Sequence, residues 1–251
     1  VGRPEAVDRA RVVADGALTA RAVYGFWPAY AEGEDIVLYH DTARSNEAAR
    51  FPMLRQQTVH PDTRPNRSLA DLIAPRETGL QDHMGLFAAT IHGADEVAAK
   101  FVADKNDYDA IIVKALADRL AEAFAEVLHA RARRDWGYET KAEFTPAEML
   151  NEQYRGIRPA FGYPACPDHS QHRAHFDLLN VAEIGGGLTE HMAMTPAASV
   201  SGFYFAHPGA KYFGVGRIDK DQLVDYAKRA KLARSEAERW LRPWLAYEPE
   251  E

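Results

Sequence analysis

Asn106-Asp107-Tyr108-Asp109-Ala110-Ile111-Ile112-Val113-Lys114-Ala115-Leu116-Ala117-Asp118-Arg119-Leu120-Ala121-Glu122-Ala123-Phe124-Ala125-Glu126-Val127-Leu128-His129-Ala130-Arg131-Ala132-Arg133-Arg134 is the clearest periodic stretch of the chain. At 1.5 Å per residue its roughly 29 residues make a helix about 43 Å long, the spine of the fold. Ile112, Leu116, Leu120, Ala123, Phe124 and Val127 form one apolar stripe. The reverse side carries Ala117, Ala121 and Ala125 rather than a full row of charges, which predicts a second element packed closely there.

Outward from this spine the other elements are shorter. Upstream, His83 to Ile91 reads as a buried strand, because Met84, Leu86, Phe87 and Ile91 leave it no polar face. Ser68 with Asp71 opens a short helix that ends before Pro75. The β-rich runs Ala22 to Pro28 and Asp35 to His40 flank Glu32-Gly33-Glu34 and predict a hairpin. Residues 4–20, with Pro4 at the start and Ala6, Ala10, Val13 and Ala17 at helical spacing, predict a first helix.

Downstream, Phe144-Thr145-Pro146-Ala147-Glu148-Met149 spells a helix start, with Thr145 as N-cap, Glu148 closing a capping box and Phe144 stapled to Met149. Asp168 caps a helix running toward Leu179. Residues 199–206 and 211–218 alternate strongly around His207-Pro208-Gly209 and predict a second hairpin. The end is helical: Asp219 and Asp221 open one helix that Lys228 and Arg229 close, and Ser235 with Glu238 makes a capping box before Pro243. Hairpins near both ends with helices between them do not give βαβ alternation. The fold class is therefore α+β, a mainly antiparallel twisted sheet with helices, one of them long and central.

Composition narrows the function classes. The 251 residues are 46% apolar, which fits one hydrophobic core. Lys and Arg total 30 against 37 Asp and Glu, a net charge of -7 that offers no overall attraction to nucleic acid or to an anionic membrane. No apolar run approaches the roughly 18 to 20 residues of a membrane span, and Val1-Gly2-Arg3-Pro4 lacks a signal pattern. The single Cys166 fits a reducing compartment, so a soluble cytoplasmic chain is expected, and a start on Val1 reads as cut from something larger.

Most familiar catalytic constellations are missing: there is no G-x-S-x-G, H-E-x-x-H or phosphate-loop motif. Gly185-Gly186-Gly187 follows an apparent helix and reads as a terminating turn. His169, His172 and His175 recur every third residue, but three-residue spacing drifts around a helix and no Glu or Cys completes a metal-ligand set. Cys166, between prolines, reads as a buried structural thiol rather than a nucleophile served by His169.

The segment Arg158-Pro159-Ala160-Phe161-Gly162-Tyr163-Pro164-Ala165-Cys166-Pro167 differs, since three prolines and a glycine leave an extended loop little entropy to lose. Ala160 and Gly162 let a ligand approach the backbone, Arg158 offers a fork for a carboxylate, and Tyr163 offers an aromatic face. A rigid structural loop is the alternative. Tyr212-Phe213 can stack on a purine or alternate between sheet faces, and core is the better reading for the pair alone. Asp118 and Glu122, one turn apart on the long helix, are by default a solvated flank.

Tyr154-Arg155-Gly156-Ile157-Arg158-Pro159-Ala160 through Gly162-Tyr163-Pro164-Ala165-Cys166-Pro167-Asp168-His169 resembles the signature loop of the S-adenosylmethionine-binding activation domain of cobalamin-dependent methionine synthase (5-methyltetrahydrofolate-homocysteine methyltransferase). The blocks Val113 to Glu126, Ser199-Val200-Ser201-Gly202 and Glu238-Arg239-Trp240-Leu241 agree in order and spacing, so the resemblance spans nearly the whole chain. It implies a module that presents the sulfonium methyl of S-adenosylmethionine to cob(I)alamin during reductive methylation of inactive cob(II)alamin. The cobalamin would be held by a partner domain, and flavodoxin or a similar reductant would supply the electron. Such a module is part of an enzyme of methionine biosynthesis but does not complete the overall reaction alone.

Carried over to this sequence, the resemblance gives Arg158 the methionine carboxylate and the backbone of Ala160 and Gly162 the adenosyl pocket. Tyr163 would sit close to the reacting methyl, and Tyr212 and Phe213 would contact the ligand, although the family pair is often Tyr-Tyr. Glu122 and Glu152 would lie near the ligand, and Asp118 would meet the cobalamin domain. No metal is expected on this chain. The family pocket also takes an aspartate from an upstream Asp-Trp-x-Pro-Phe-Phe-type segment. Asp135-Trp136, followed by Gly137-Tyr138, is not that segment, so residues 1–251 are expected to be a single activation domain without its N-terminal part. Losing one charge-assisted contact costs about 1.5 to 3 kcal/mol. The alternative function is a non-catalytic docking module for a corrinoid protein or reductase, with little ligand affinity.

Overall fold

In the computed structural model, which describes residues 17–141 and 144–249, a five-stranded antiparallel sheet carries the molecule in the order β3-β2-β1-β4-β7. The strands are β1 (Thr19–Glu32), β2 (Asp35–Tyr39), β3 (Glu47–Pro52), β4 (Asp82–His92) and β7 (Ser199–Tyr204), with β5 (Gly187–Leu188) and β6 (Met194–Thr195) forming a separate two-stranded ladder. The helices are α1 (Ala94–Ala103), α2 (Asp107–Trp136), α3 (Pro146–Leu150), α4 (His172–Leu179), α5 (Lys220–Ala230) and α6 (Arg234–Leu241). The predicted class holds.

The first hairpin forms as predicted, with Glu32 opposite Asp35. β1 runs longer than its β-rich core because most of it pairs with β4, from Thr19 against His92 to Ala29 against Asp82. That pairing takes Thr19 and Ala20 out of the predicted first helix, whose residues 4–16 lie outside the described residues. Ser68 and Asp71 make the capping box of a 3-10 turn at Leu69–Leu72, and Thr145 and Glu148 make that of α3, which is only five residues long. Gly185, at φ 77°, ends the turn Val181–Ile184 as expected.

β4 sorts the core. Phe87 and Ala89 on one face meet α2, while Met84, Leu86 and Ala88 on the other join Phe51, Phe161, Phe176, Phe203 and Phe205. The sequence pattern misassigns the buried face of α2. Val113, Ala117, Ala121, Ala125, Leu128 and Ala132 are buried, whereas Ile112, Leu116, Leu120 and Phe124 are half-buried, Ala123 is exposed and Val127 is 60% exposed. The physical reason is distance: a line of methyl groups lets the helix lie close over β4 and β7, and the larger side chains splay along its flanks. The close approach predicted at the alanines is therefore made to the sheet at Ala125, and to Ile91, Ala94 of α1 and Ala198 at Ala117 and Ala121. Ala125→Leu is expected to destabilise the protein by about 1 to 3 kcal/mol, because Ala125 is fully buried against Phe87, Ala89 and Tyr204. Chemical denaturation checks this, with Ala123→Leu as the exposed control on the same helix.

Two other expectations are corrected. Residues 211–217 form no strand, so the second hairpin does not exist. The free edge of β7 is taken instead by the segment before the proline-rich loop: Ile157 and Phe205 exchange backbone hydrogen bonds at 3.1 and 3.0 Å, and the Phe203 amide donates to Pro159 at 3.0 Å. The Ser235–Glu238 capping box is absent because α6 starts two residues earlier, with Ala233 rather than Ser235 at its N-cap. Glu238 accepts from Arg234 Nε and the Tyr247 hydroxyl, both at 2.9 Å. α5 begins after Asp219 and ends with Lys228 and Arg229 in its last turn, as the charges predict.

Candidate functional site

Capture of the β7 edge fixes the start of the proline-rich loop. Gly202 makes it possible: a Cβ there would fall 2.3 Å from the Pro159 carbonyl and 3.0 Å from Ala160 Cα, so the loop backbone runs directly over it. Beyond Ala160 the chain folds back on itself. Gly162 donates to Cys166 at 2.8 Å and Cys166 to Tyr163 at 2.9 Å. Gly162 sits at φ 79° with the His169 ring against its α-carbon, where a Cβ would be 2.1 Å from Nε2. The Val215 amide then donates to Pro164 at 2.8 Å and draws residues 212–215 alongside.

The floor beneath the loop is polar but closed. Asp168 accepts from Ser170 at 2.7 Å and from the Tyr226 hydroxyl at 2.5 Å, joining the loop's end to α5. Cys166 is buried, and desolvation together with Asp168 pushes its thiol well up, as suits a structural thiol. His172 and His175 turn inward against Phe161, with ring centroids 4.6 and 5.0 Å away, while His169 stays exposed. Burial pushes His172 down to about 4 and His175 to about 3, so both are neutral supports of the loop. Among the described residues no three His, Cys, Asp or Glu side chains could hold a metal ion together.

Between the loop, α2 and the Tyr212–Gly214 stretch lies a cavity of about 540 Å³, within the roughly 300 to 1,000 Å³ of small-molecule sites. Glu122, Glu152, Arg158, Ala160, Tyr163, Tyr212 and Phe213 all line it, so residues far apart in sequence converge on one space. Gly162 does not line it and acts through the turn that aims Tyr163. Tyr163 is 59% and Tyr212 42% exposed. The Tyr212 hydroxyl turns inward and accepts from the Arg158 amide at 3.0 Å, while Phe213 packs partly into the core. Glu152 follows α3 at a left-handed φ of 49°, a conformation uncommon outside glycine. Asp118 does not reach this cavity. It opens on a neighbouring depression of about 420 Å³ that shares Glu122 and Val200 with it.

Arg158 is the cation of the site, and its side chain is only 15% exposed. Burial opposes its charge, but Tyr154, Tyr212 and Glu126 outweigh that and keep the guanidinium firmly protonated. Nη2 pairs with Glu126 and Nη1 donates to the Tyr154 hydroxyl at 2.9 Å. Sequence reasoning missed these partners, and with them His129 and Arg133, which lie fully buried beside Tyr154. One signal pointed to them: His129 and Arg133 continue the four-residue spacing of the buried alanines Ala117, Ala121 and Ala125, so polar groups interrupt a packed face.

Gly202→Ala is expected to displace Pro159 and Ala160 and to weaken ligand binding at least about tenfold, since the atoms met are backbone and the whole loop must shift. Calorimetric titration checks this, with Gly209→Ala, which meets only the movable His207 ring, as control.

Residues 7–231 match the family model of the vitamin B12 dependent methionine synthase activation domain. Among solved structures, the crystal structure of the MetH reactivation domain bound to AdoHcy is 45% identical to this chain with a TM-score of 0.92. The match covers 95% of this chain and 74% of that one.

Proposed function

The chain belongs to the activation-domain family of vitamin B12-dependent methionine synthase, and from that premise we propose that it binds S-adenosylmethionine in the Arg158 cavity and presents its sulfonium methyl to a cobalamin held by a partner domain. One observation carries this reading: the cavity holds one guanidinium and two carboxylates, Arg158 with Glu122 and Glu152. S-adenosylmethionine carries the opposite set, one carboxylate with an ammonium and a sulfonium. A polyphosphate would meet two carboxylates and is disfavoured by the same charges.

Arg158 takes the methionine carboxylate through a planar, charge-assisted contact. Glu122 and Glu152 face the two cationic groups. The backbone at Ala160 lines the adenosyl pocket, Gly162 sets the turn beside it, and Tyr212 and Phe213 supply ring faces. Tyr163, exposed at the cavity mouth, orients the methyl toward the incoming partner. A cobalamin held by the partner domain and served by a flavodoxin-type donor would supply the nucleophile, so this chain needs none of its own. Asp118, on the adjoining depression, belongs to the docking surface for the partner domain. Residues 1–251 act as one module of the enzyme in the reducing cytoplasm, which the single buried thiol of Cys166 supports.

The reaction tests this directly. The full chain, a cobalamin-bearing partner domain, a one-electron donor and methyl-labelled S-adenosylmethionine are expected to move label to the corrinoid and release S-adenosylhomocysteine. Transfer equally fast without the chain would overturn the proposal. Co-purification with a corrinoid protein but no ligand-dependent transfer would favour the docking alternative.

A further inference from the structure

Arg158 lines the cavity, and its guanidinium is engaged by a second layer of side chains. That layer comes from α2 and from the residues leading into the loop, and none of it lines the cavity. Glu126 pairs with Nη2 through Oε1, while its Oε2 is buried without a hydrogen-bond partner. Tyr154 accepts from Nη1 at 2.9 Å. Tyr154 is held in turn: the Arg133 guanidinium lies 4.0 Å over its ring, and His129 meets its edge at 5.3 Å. Arg133 is 1% exposed, with no hydrogen-bond partner on any of its three nitrogens and its nearest carboxylate, Glu139, at 3.7 Å. α2 therefore gives one carboxylate, Glu122, to the cavity, and the next turn gives another, Glu126, to the arginine behind it.

We propose that Glu126, acting with Tyr154, is a positioning residue for carboxylate recognition: it clamps the Arg158 guanidinium from the side away from the cavity and fixes the plane in which the remaining N–H groups meet the ligand. A guanidinium has five N–H donors, and a clamp that engages two of them leaves three, enough for a two-point contact with a planar carboxylate. Holding the fork before the ligand arrives removes an ordering cost that a free arginine would meet on binding. Glu126 supports the fork rather than blocking it, because it lies outside the cavity from which the ligand approaches.

This inference rests on the S-adenosylmethionine reading, and decarboxylated S-adenosylmethionine, which lacks only the carboxylate, separates the two. Glu126→Ala in the full chain is expected to weaken S-adenosylmethionine binding about tenfold or more and to change affinity for the decarboxylated analogue by less than about twofold. Glu126→Gln and Tyr154→Phe are expected to show the same selectivity at smaller size, and Glu126→Gln decides the matter if the alanine variant does not fold. Equal losses for both ligands would overturn the proposal, since a merely structural role moves both alike. Tighter binding of S-adenosylmethionine by Glu126→Gln would also overturn it, because Glu126 would then be a competitor for the fork. Binding of neither ligand by the unsubstituted chain would overturn the underlying reading, and this inference with it.

Discussion

Arg158→Ala is expected to weaken S-adenosylmethionine binding by about 10- to 100-fold, the equivalent of roughly 1.5 to 3 kcal/mol for a lost charge-assisted contact. Two effects push toward the upper end. The substitution removes the only cation that lines the cavity among the described residues, and it leaves Glu126, whose side chain is 30% exposed, without its ion-pair partner. His172→Ala is the matched comparison from the same loop region. His172 packs its ring against Phe161 at 4.6 Å and does not line the cavity, so it is expected to alter affinity far less. Paired calorimetric titrations decide, and equal effects would refute the role given to Arg158.

Phe203→Ala carries the largest expected effect on stability. Its ring is fully buried and meets Phe161 at 4.7 Å, Phe51 at 5.0 Å and Phe205 at 6.0 Å, so it joins β7, β3 and the ligand loop in one aromatic cluster. Truncation of such a phenylalanine costs about 3 to 5 kcal/mol, and for a chain of this size each kcal/mol lowers the melting midpoint by about 2 to 4 °C. The same change removes the surface on which Phe161 rests. Ligand affinity is therefore expected to fall as well, even where the variant remains folded. A thermal melt with a parallel titration separates the two effects, and an unchanged midpoint would contradict the assigned core.

Elements whose signals are local were legible in the sequence, the Ser235–Glu238 box excepted. The caps at Ser68 and Thr145, the turn at Gly33 and the charges at the ends of α5 act within a few residues, and each appears where the pattern put it. Failures arose where tertiary contacts chose between equal local options. The aromatic alternation of residues 211–218 satisfies a strand pattern, but the β7 edge it needed is occupied by residues 157–159. On α2 the larger apolar side chains outweighed the alanines in the pattern, whereas close approach to the sheet favours the alanines.

The site shows the same division. Arg158, Ala160 and Tyr163 share one short, proline-stiffened segment whose composition already marked it, and the family resemblance brought Glu122, Glu152, Tyr212 and Phe213 into the same set. All seven line one cavity. Glu126 and Tyr154 were not legible because their importance lies in meeting Arg158 from another element and from an irregular segment, which no spacing rule connects.

The most direct test of the account is calorimetric titration of the full chain with S-adenosylmethionine. Saturable binding of one ligand per chain, reduced at least about tenfold by Arg158→Ala, is the predicted result. A folded chain that gives no saturable heat, or one whose affinity Arg158→Ala leaves unchanged, would contradict it.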